Sequence, residues 1–193
     1  MINILLVGVG GQGTVLAAKV LAQAAQDKGW KVRTAETIGM AQRGGSVVSH
    51  VRMGNEGEAV HAPLLAQQSA DVVIAFEPAE AARVLPFLKP GGLVVTASTA
   101  VQPVTASLSK NPYRAADVLT ALQSQVERLV IVNDEALVAE VGNRKALNTI
   151  LLAKAVQAAD MGISLDDLRA AIKVCVKERF VPLNLKAIEV AVA

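Results

Sequence analysis

The sequence predicts an α/β fold, a three-layer Rossmann-like domain whose mostly parallel sheet carries a β-hairpin insertion and is followed by a helical C-terminal part. Three observations support this fold. Apolar runs of strand length alternate with segments of helical periodicity, a glycine-rich turn at Gly8–Gly13 joins the first strand to the first helix, and the pattern is helical from Arg144 onward. Because 193 residues suffice for one well-buried core, we expect a single domain over residues 1–193.

The first third of the chain reads as strands around one helix. Asn3–Val7 is a buried-type strand, and a helical stretch then runs to about Lys28. Gly29 stops this helix, and Lys31–Ala35 is the second strand, which makes a β-α-β opening with a parallel, right-handed crossover. The predicted hairpin insertion consists of the strand Ser46–Met53, the connection Gly54–Gly57 and a short return strand, Glu58–His61.

The rest of the chain continues the alternation and then becomes helical. Ser98–Tyr113 is rich in turn signals and is given no regular element. The predicted strands are Asp71–Phe76, Leu93–Ala97 and Leu129–Val132. The predicted helices are Glu77–Leu88, Arg114–Gln125, Asp134–Val141, Arg144–Asp160, Ser164–Lys177 and Leu183–Ala193, and Lys89–Gly92 is a predicted turn.

Composition excludes several classes of function. Hydrophobic residues make up 52% of the chain and the mean hydropathy is +0.41, yet no apolar run approaches the roughly 18 residues needed to span a bilayer. Aromatic residues are only 3% and the net charge is +2, so the sequence predicts neither a membrane anchor nor nucleic-acid binding. The surplus of apolar residues predicts a subunit interface, and we expect the isolated chain to form a homodimer.

Cysteine content and the N-terminus limit cofactors and compartment. Cys175 is the only cysteine, so this chain cannot form an intrachain disulfide, an iron–sulfur cluster or a zinc site from its own thiolates. The helical spacing around Cys175 predicts a buried, inert thiol. The N-terminus enters a strand directly without an export signal, so we expect a cytoplasmic protein.

The glycine turn has two interpretations. Gly8, Gly10 and Gly13 match the G-x-G-x-x-G spacing of dinucleotide sites, in which the N-terminus of a helix faces a pyrophosphate. Glu36 ends the second predicted strand at about the offset of a ribose-binding carboxylate. The turn could equally serve only close packing of helix on sheet, and Gln12 is not required by the dinucleotide pattern.

A second unusual stretch, Gly39–His50, surrounds two long polar side chains with glycines. Gln42 and Arg43 could contact a ligand or partner there. In the strand that follows, alternation places His50 and Arg52 on one face, and with Arg43 they could form a cationic surface for phosphate or carboxylate. An ordinary solvent-facing hairpin is the alternative.

Glu77 is a further candidate, because it follows the strand Asp71–Phe76 at the edge where α/β sheets place functional groups. A carboxylate at this position could instead stabilise the N-terminus of the next helix. The sequence shows no nucleophile–base pair, paired carboxylates or metal-ligand spacing.

The glycine turn, the second loop and the strand after it together resemble a known family. Gly8-Val-Gly-Gly-Gln-Gly13, Glu36-Thr-Ile-Gly-Met-Ala-Gln-Arg-Gly-Gly-Ser46 and Ser49-His-Val-Arg52 resemble the gamma-type domain of 2-oxoacid:ferredoxin oxidoreductases. Ala70–Pro78 and Leu88–Gly92 extend the resemblance over most of the chain. Within the family, Gly142–Asn148 and Pro182–Glu189 look most like the beta subunit of the indolepyruvate enzyme.

The resemblance implies an accessory role in a larger enzyme. Such enzymes oxidatively decarboxylate a 2-oxoacid on thiamine diphosphate, pass electrons through iron–sulfur clusters to ferredoxin and release an acyl-CoA. It implies that this chain, inactive alone, binds none of these cofactors by itself and joins a larger thiamine- and iron–sulfur-containing subunit. No residue is expected to be catalytic or to bind metal, and a stand-alone NAD(P)- or nucleotide-binding domain and a purely structural subunit are the alternatives.

The resemblance also implies that the two glycine-rich segments face the active-site entrance of the complex, on CoA or on the partner subunit. The expected contact residues are Gly10, Gly11, Gln12, Gly13, Met40, Gln42, Arg43, Gly44, Gly45, His50 and Arg52.

Overall fold

A six-stranded sheet, covered by helices on both faces, organises the chain. The structure is a computed structural model that describes residues 1–39, 44–102 and 113–193. The strands are β1 (Ile2–Val9), β2 (Lys31–Ile38), β3 (Ser46–Gly54), β4 (Ala70–Ala75), β5 (Leu88–Ala97) and β6 (Arg128–Val132). The α-helices of these ranges are α1 (Thr14–Asp27), α2 (Pro78–Arg83), α3 (Ala115–Gln125), α4 (Asp134–Val141), α5 (Leu147–Ala158), α6 (Leu165–Cys175) and α7 (Val181–Val192).

The strand order is β2-β3-β1-β4-β5-β6, and the β1–β4, β4–β5 and β5–β6 pairs are parallel. Strand β3 pairs antiparallel with both β1 and β2. The predicted three-layer, mostly parallel α/β fold is therefore confirmed. No helix in the described ranges is both long and apolar enough to cross a membrane.

The two faces of the sheet bury different helices because side chains alternate along each strand. Ile4 and Leu6 of β1 point into a larger core with α1 and the C-terminal helices. Leu5 and Val7 point into a smaller core with α2 and α3. The continuous apolar runs of the parallel strands thus have the composition expected of strands buried on both faces.

The hairpin insertion exists, but it forms from different strands than predicted. Strands β2 and β3 pair with each other, from Lys31 opposite Gly54 to Ile38 opposite Val47, whereas the described structure contains no return strand over Glu58–His61. Gly54 is packed so closely against the Glu58 carbonyl oxygen that a Cβ at this position would clash with it. The chain after Gly54 folds back tightly without forming a strand ladder.

The strand order and two element boundaries also differ from the prediction. β1 and β2 run in the same direction but are not neighbours, because β3 lies between them. The predicted helix 77–88 divides into α2 and a 3₁₀ turn at Leu85–Phe87, since Pro86 lacks the N–H that would continue the helix. The predicted turn 89–92 lies within β5, where the register against β4 shifts.

Ser49 supplies a test of the core beside the hairpin. It is fully buried in β3, and its hydroxyl has no hydrogen-bond partner among the described residues. Replacing Ser49 with Ala removes a buried polar group that nothing satisfies, so we expect the free energy of unfolding in urea to rise by about 1 kcal/mol. Ser164→Ala is the control with opposite sign: Ser164 closes the capping box of α6, and its loss costs about 1 kcal/mol. A fall in stability for Ser49→Ala would contradict the assignment.

Candidate functional site

The side chain of Gln12 stabilises the glycine turn between β1 and α1 by two hydrogen bonds to the backbone. The side-chain oxygen of Gln12 accepts the Val9 N–H at 2.7 Å, and its amide nitrogen donates to the Phe76 carbonyl at 2.9 Å. Phe76 directly follows β4, so one side chain ties the ends of the two central parallel strands together. Gly8 leaves room for this contact, because a Cβ at Gly8 would lie 2.8 Å from the Gln12 side-chain oxygen and 2.9 Å from the Cβ of Phe76.

The hairpin turn contacts the glycine turn directly. The Gly10 N–H donates to the Gly45 carbonyl at 2.8 Å, and the Gly39 N–H donates to the Ser46 carbonyl at 2.9 Å. Ser46 also donates to the buried Glu80 carboxylate, which joins the hairpin to α2. The structure therefore brings Gly10, with Gly11, Gln12 and Gly13, beside Gly44 and Gly45, whereas Met40, Gln42 and Arg43 lie outside the described residues.

His50 and Arg52 occupy the same face of β3, as predicted, but they lie progressively further from the glycine turn. His50 is opposite Leu5, and Arg52 is opposite Asn3 near the start of β1. Arg52 donates to the Asn3 side chain at 3.0 Å and to the Ala62 carbonyl at 2.8 Å. The structure does not bring Arg52 to the glycine turn.

His50 is packed in the smaller core. Its Nδ1 accepts the Leu65 N–H at 3.2 Å, and its ring packs edge-on against Phe87, with centroids 6.2 Å apart. Only 5% of His50 is exposed, and burial lowers the pKa of its imidazole. A lowered pKa favours the neutral ring, which contributes no positive charge to a cationic surface near neutral pH.

The carboxylates at the C-terminal edge of the sheet accept hydrogen bonds from the chain itself. Glu77 caps α2 by accepting the Glu80 N–H at 3.0 Å, and its other oxygen accepts the Tyr113 hydroxyl at 2.7 Å. Burial and the neighbouring Glu77 carboxylate raise the pKa of Tyr113 far above its usual value. Of the two readings of Glu77, the structure supports the helix-terminus role.

Asp134 has the same kind of role after β6. One of its oxygens accepts the backbone N–H and the hydroxyl of both Ser98 and Thr99, at 2.9 to 3.1 Å. Only 2% of Asp134 is exposed. This carboxylate oxygen therefore holds the segment that leaves β5.

Cys175 is half-buried, and its thiol contacts the Lys19 carbonyl at 3.8 Å. Burial raises the pKa of the Cys175 thiol, which disfavours the reactive thiolate. Within the described ranges, no group of three or more His, Cys, Asp or Glu side chains is arranged to hold a metal ion.

A cavity of about 520 Å³ opens beside the glycine turn and was not predicted from the sequence. Its walls come from the turn, from the 3₁₀ turn Arg144–Ala146 with the start of α5, and from α7. The segment Gly142–Asn148 is the sequence feature that could have indicated this cavity. It belongs to the family resemblance, but no contact residue was expected in it. The segment 142–148 reaches the glycine turn only through the packing of the C-terminal helices against α1.

Comparisons with known proteins place this geometry in a family. The family model described as pyruvate ferredoxin/flavodoxin oxidoreductase matches residues 3–193. A relative from Archaeoglobus fulgidus, indolepyruvate oxidoreductase subunit IorB, is 38% identical over 190 residues, which cover 97% of this chain and 92% of the relative.

Two solved structures share the fold. The gamma subunit of a keto/oxoacid ferredoxin oxidoreductase from Geobacter sulfurreducens has a TM-score of 0.71 at 22% identity, covering 99% of this chain and 96% of that one. A 2-oxoglutarate:ferredoxin oxidoreductase from Magnetococcus marinus, solved with 2-oxoglutarate, coenzyme A and succinyl-CoA bound, also has a TM-score of 0.71, at 18% identity. The match covers 98% of this chain but only 30% of that larger one.

The buried imidazole predicts a pH-dependent stability. Because the pKa of His50 is lower in the folded chain than in the unfolded one, the unfolded state binds more protons as the pH falls through about 6.5. We expect the contribution of His50 to the free energy of unfolding to be complete above that pH and to decline below it. The decline is no steeper than the one-proton limit of about 1.4 kcal/mol per pH unit. Urea unfolding from pH 7.5 to 5.5 measures this slope.

The second histidine is the matched control, since the chain has only these two and His61 is exposed. His61→Gln should keep the slope and His50→Gln should flatten it. An unchanged slope in His50→Gln would show that other groups cause the dependence.

Proposed function

This chain belongs to the pyruvate ferredoxin/flavodoxin oxidoreductase family, and we propose that it is the small accessory subunit of a thiamine-dependent indolepyruvate:ferredoxin oxidoreductase. The observation that carries the proposal is the near-complete match to an indolepyruvate oxidoreductase subunit, end to end in both chains. The complex would decarboxylate an aryl 2-oxoacid, transfer the acyl group to the thiol of coenzyme A and pass the electrons to ferredoxin.

The redox and carbanion chemistry would belong to a larger partner subunit. One half-buried cysteine cannot ligate an iron–sulfur cluster, so the residues of this chain do not fit that cofactor. The buried carboxylates Glu77 and Asp134 accept hydrogen bonds from their own chain. Thiamine diphosphate and the clusters are therefore assigned to the partner, and this chain would contribute binding surface.

The edge that carries the glycine turn is the proposed contact surface for the partner and for coenzyme A. Val15, in the first turn of α1, is 43% exposed, and Ile38, at the end of β2, is 61% exposed. Both flank the paired turns at Gly10 and Gly45, and apolar side chains exposed at such a place suit a protein interface. The same apolar positions are where the isolated chain would form the expected homodimer.

The competing dinucleotide function lacks part of its usual geometry. Glu36 lies within β2 opposite Ser49, and β3 separates β2 from β1, whose end carries the glycine turn. In a dinucleotide domain the ribose-binding carboxylate follows the strand adjacent to the turn. Calorimetric titration of the purified chain with NAD(H) should therefore show no binding, and affinity purification should recover a larger thiamine-containing subunit with ferredoxin-linked indolepyruvate oxidation.

Micromolar NAD binding by the chain alone would overturn the proposal in favour of a stand-alone Rossmann domain. Purification without a larger partner, under conditions that preserve oxidoreductase complexes, would count against the accessory role.

Arg43 tests whether the second loop contacts coenzyme A. A guanidinium paired with phosphate oxygens contributes a charge-assisted hydrogen bond, so Arg43→Ala in the reconstituted complex should raise the KM for coenzyme A roughly 10- to 100-fold. Arg33→Ala is the control, because Arg33 lies on β2 and donates to the Val60 carbonyl of its own chain. Unchanged kinetics with intact assembly would favour the purely structural role.

A further inference from the structure

The start of helix α1, at Gly13 and Leu16, forms part of the wall of the cavity beside the glycine turn. Helix α1 begins after Gly13, which has a left-handed φ of +88°, and no side chain of the described residues caps it. Its first turn also contains no acidic residue. The first N–H groups of an α-helix lack partners within the helix and carry a partial positive charge, so this end of α1 favours an anion.

Asn148 provides a second donor at the same place, independent of the helix. It is only 6% exposed, and its side-chain oxygen accepts the Thr149 N–H at 2.9 Å. Its amide nitrogen makes no hydrogen bond within the part of the chain that the structure describes, and it lies on the cavity wall. A Cβ at Gly13 would be 3.2 Å from this nitrogen, so the amide lies directly over the start of α1.

The other buried amide of the cavity has no such free donor. Asn184 is 5% exposed, its nitrogen donates to the Phe180 carbonyl at 2.8 Å, and its oxygen accepts the Thr149 hydroxyl. The Asn148 nitrogen, by contrast, lies at the cavity surface without an acceptor among the described residues. The Asn148 nitrogen is therefore placed to donate to something that enters the cavity.

Among the described residues, the charged side chains that line the cavity are all basic. Arg144 and Lys145 line it, and both are exposed to solvent. Among the described residues that form its wall, none is acidic. The ammonium of Lys145 lies 5.6 Å from the centre of the Phe180 ring, so cation and apolar wall are adjacent. The rest of the wall is largely apolar, with Leu16, Val176 and Leu183.

We infer that this cavity binds one phosphoryl group of a ligand whose body is apolar. The end of α1 and the Asn148 amide hold the phosphoryl oxygens, Arg144 and Lys145 balance the charge, and the apolar wall takes the body. Two cations and a helix end suit a dianion better than a carboxylate, and donors concentrated at one point suit one phosphoryl group better than a bridged pair. The inference rests on the proposed function, because it assigns a ligand chemistry to the glycine turn at the proposed active-site entrance.

Calorimetric titration of the full chain at low salt tests the inference with phenyl phosphate, inorganic phosphate and benzoate. We expect saturable binding of phenyl phosphate, roughly tenfold tighter than inorganic phosphate because its ring is buried, and at least about tenfold tighter than benzoate. Asn148→Asp keeps the acceptor for the Thr149 N–H but replaces the donor with a negative charge. It should weaken phenyl phosphate binding roughly 100-fold while leaving the melting temperature unchanged or raised.

Asn143→Asp is the matched control. It adds the same charge nearby, at a position outside the cavity wall, and keeps the oxygen that accepts the Lys145 N–H. It should change the affinity no more than about twofold, because an exposed charge is screened. The double variant Arg144→Gln, Lys145→Gln should bind about tenfold more weakly and with a reduced salt dependence.

Equal affinity of wild type and Asn148→Asp, or no saturable binding of phenyl phosphate by the wild type, would overturn the inference. Benzoate binding as tight as phenyl phosphate would overturn the phosphoryl assignment. Each result is independent of whether the chain co-purifies with a larger subunit, so failure here is distinguishable from failure of the proposed function.

Discussion

The contact between Gln12 and the ends of two strands determines much of the surrounding structure. One amide satisfies the Val9 N–H of β1 and the Phe76 carbonyl after β4, which fixes how the central parallel strands end relative to each other. Gly8 must lack a side chain for this amide to fit. With the strand ends fixed, α1 begins after Gly13 without a capping side chain among the described residues, and its start lines the cavity together with parts of α5 and α7.

Insertion of β3 between β1 and β2 changes how the glycine turn can be used. In a simple β-α-β unit the second strand would bring its terminal carboxylate beside the turn. Here the Gly45 carbonyl accepts the Gly10 N–H, and Glu36 lies one strand further out. The Gly10 and Gln12 N–H groups of the turn are bonded within the chain, and the turn loses the usual ribose contact.

The buried carboxylates and amides at this edge divide into two groups. Glu77 and Asp134 accept hydrogen bonds from their own chain and hold the segments that follow β4 and β5. Asn148 alone among the buried amides of the cavity has an uncommitted donor in the described structure. Glu77, a candidate site residue from the sequence, therefore serves the fold, whereas Asn148, for which the sequence predicted no contact, lines the cavity.

The sequence by itself determined the α/β class, the glycine turn, the span of β3 and the family, because periodicity and local motifs depend on residues close together in the chain. It did not determine the strand order, the pairing of β2 with β3 or the burial of His50, since these depend on which strand lies next to which. The cavity was beyond sequence reasoning for the same reason. Gly13 and Asn148 are 135 residues apart and meet only because α5 packs against α1.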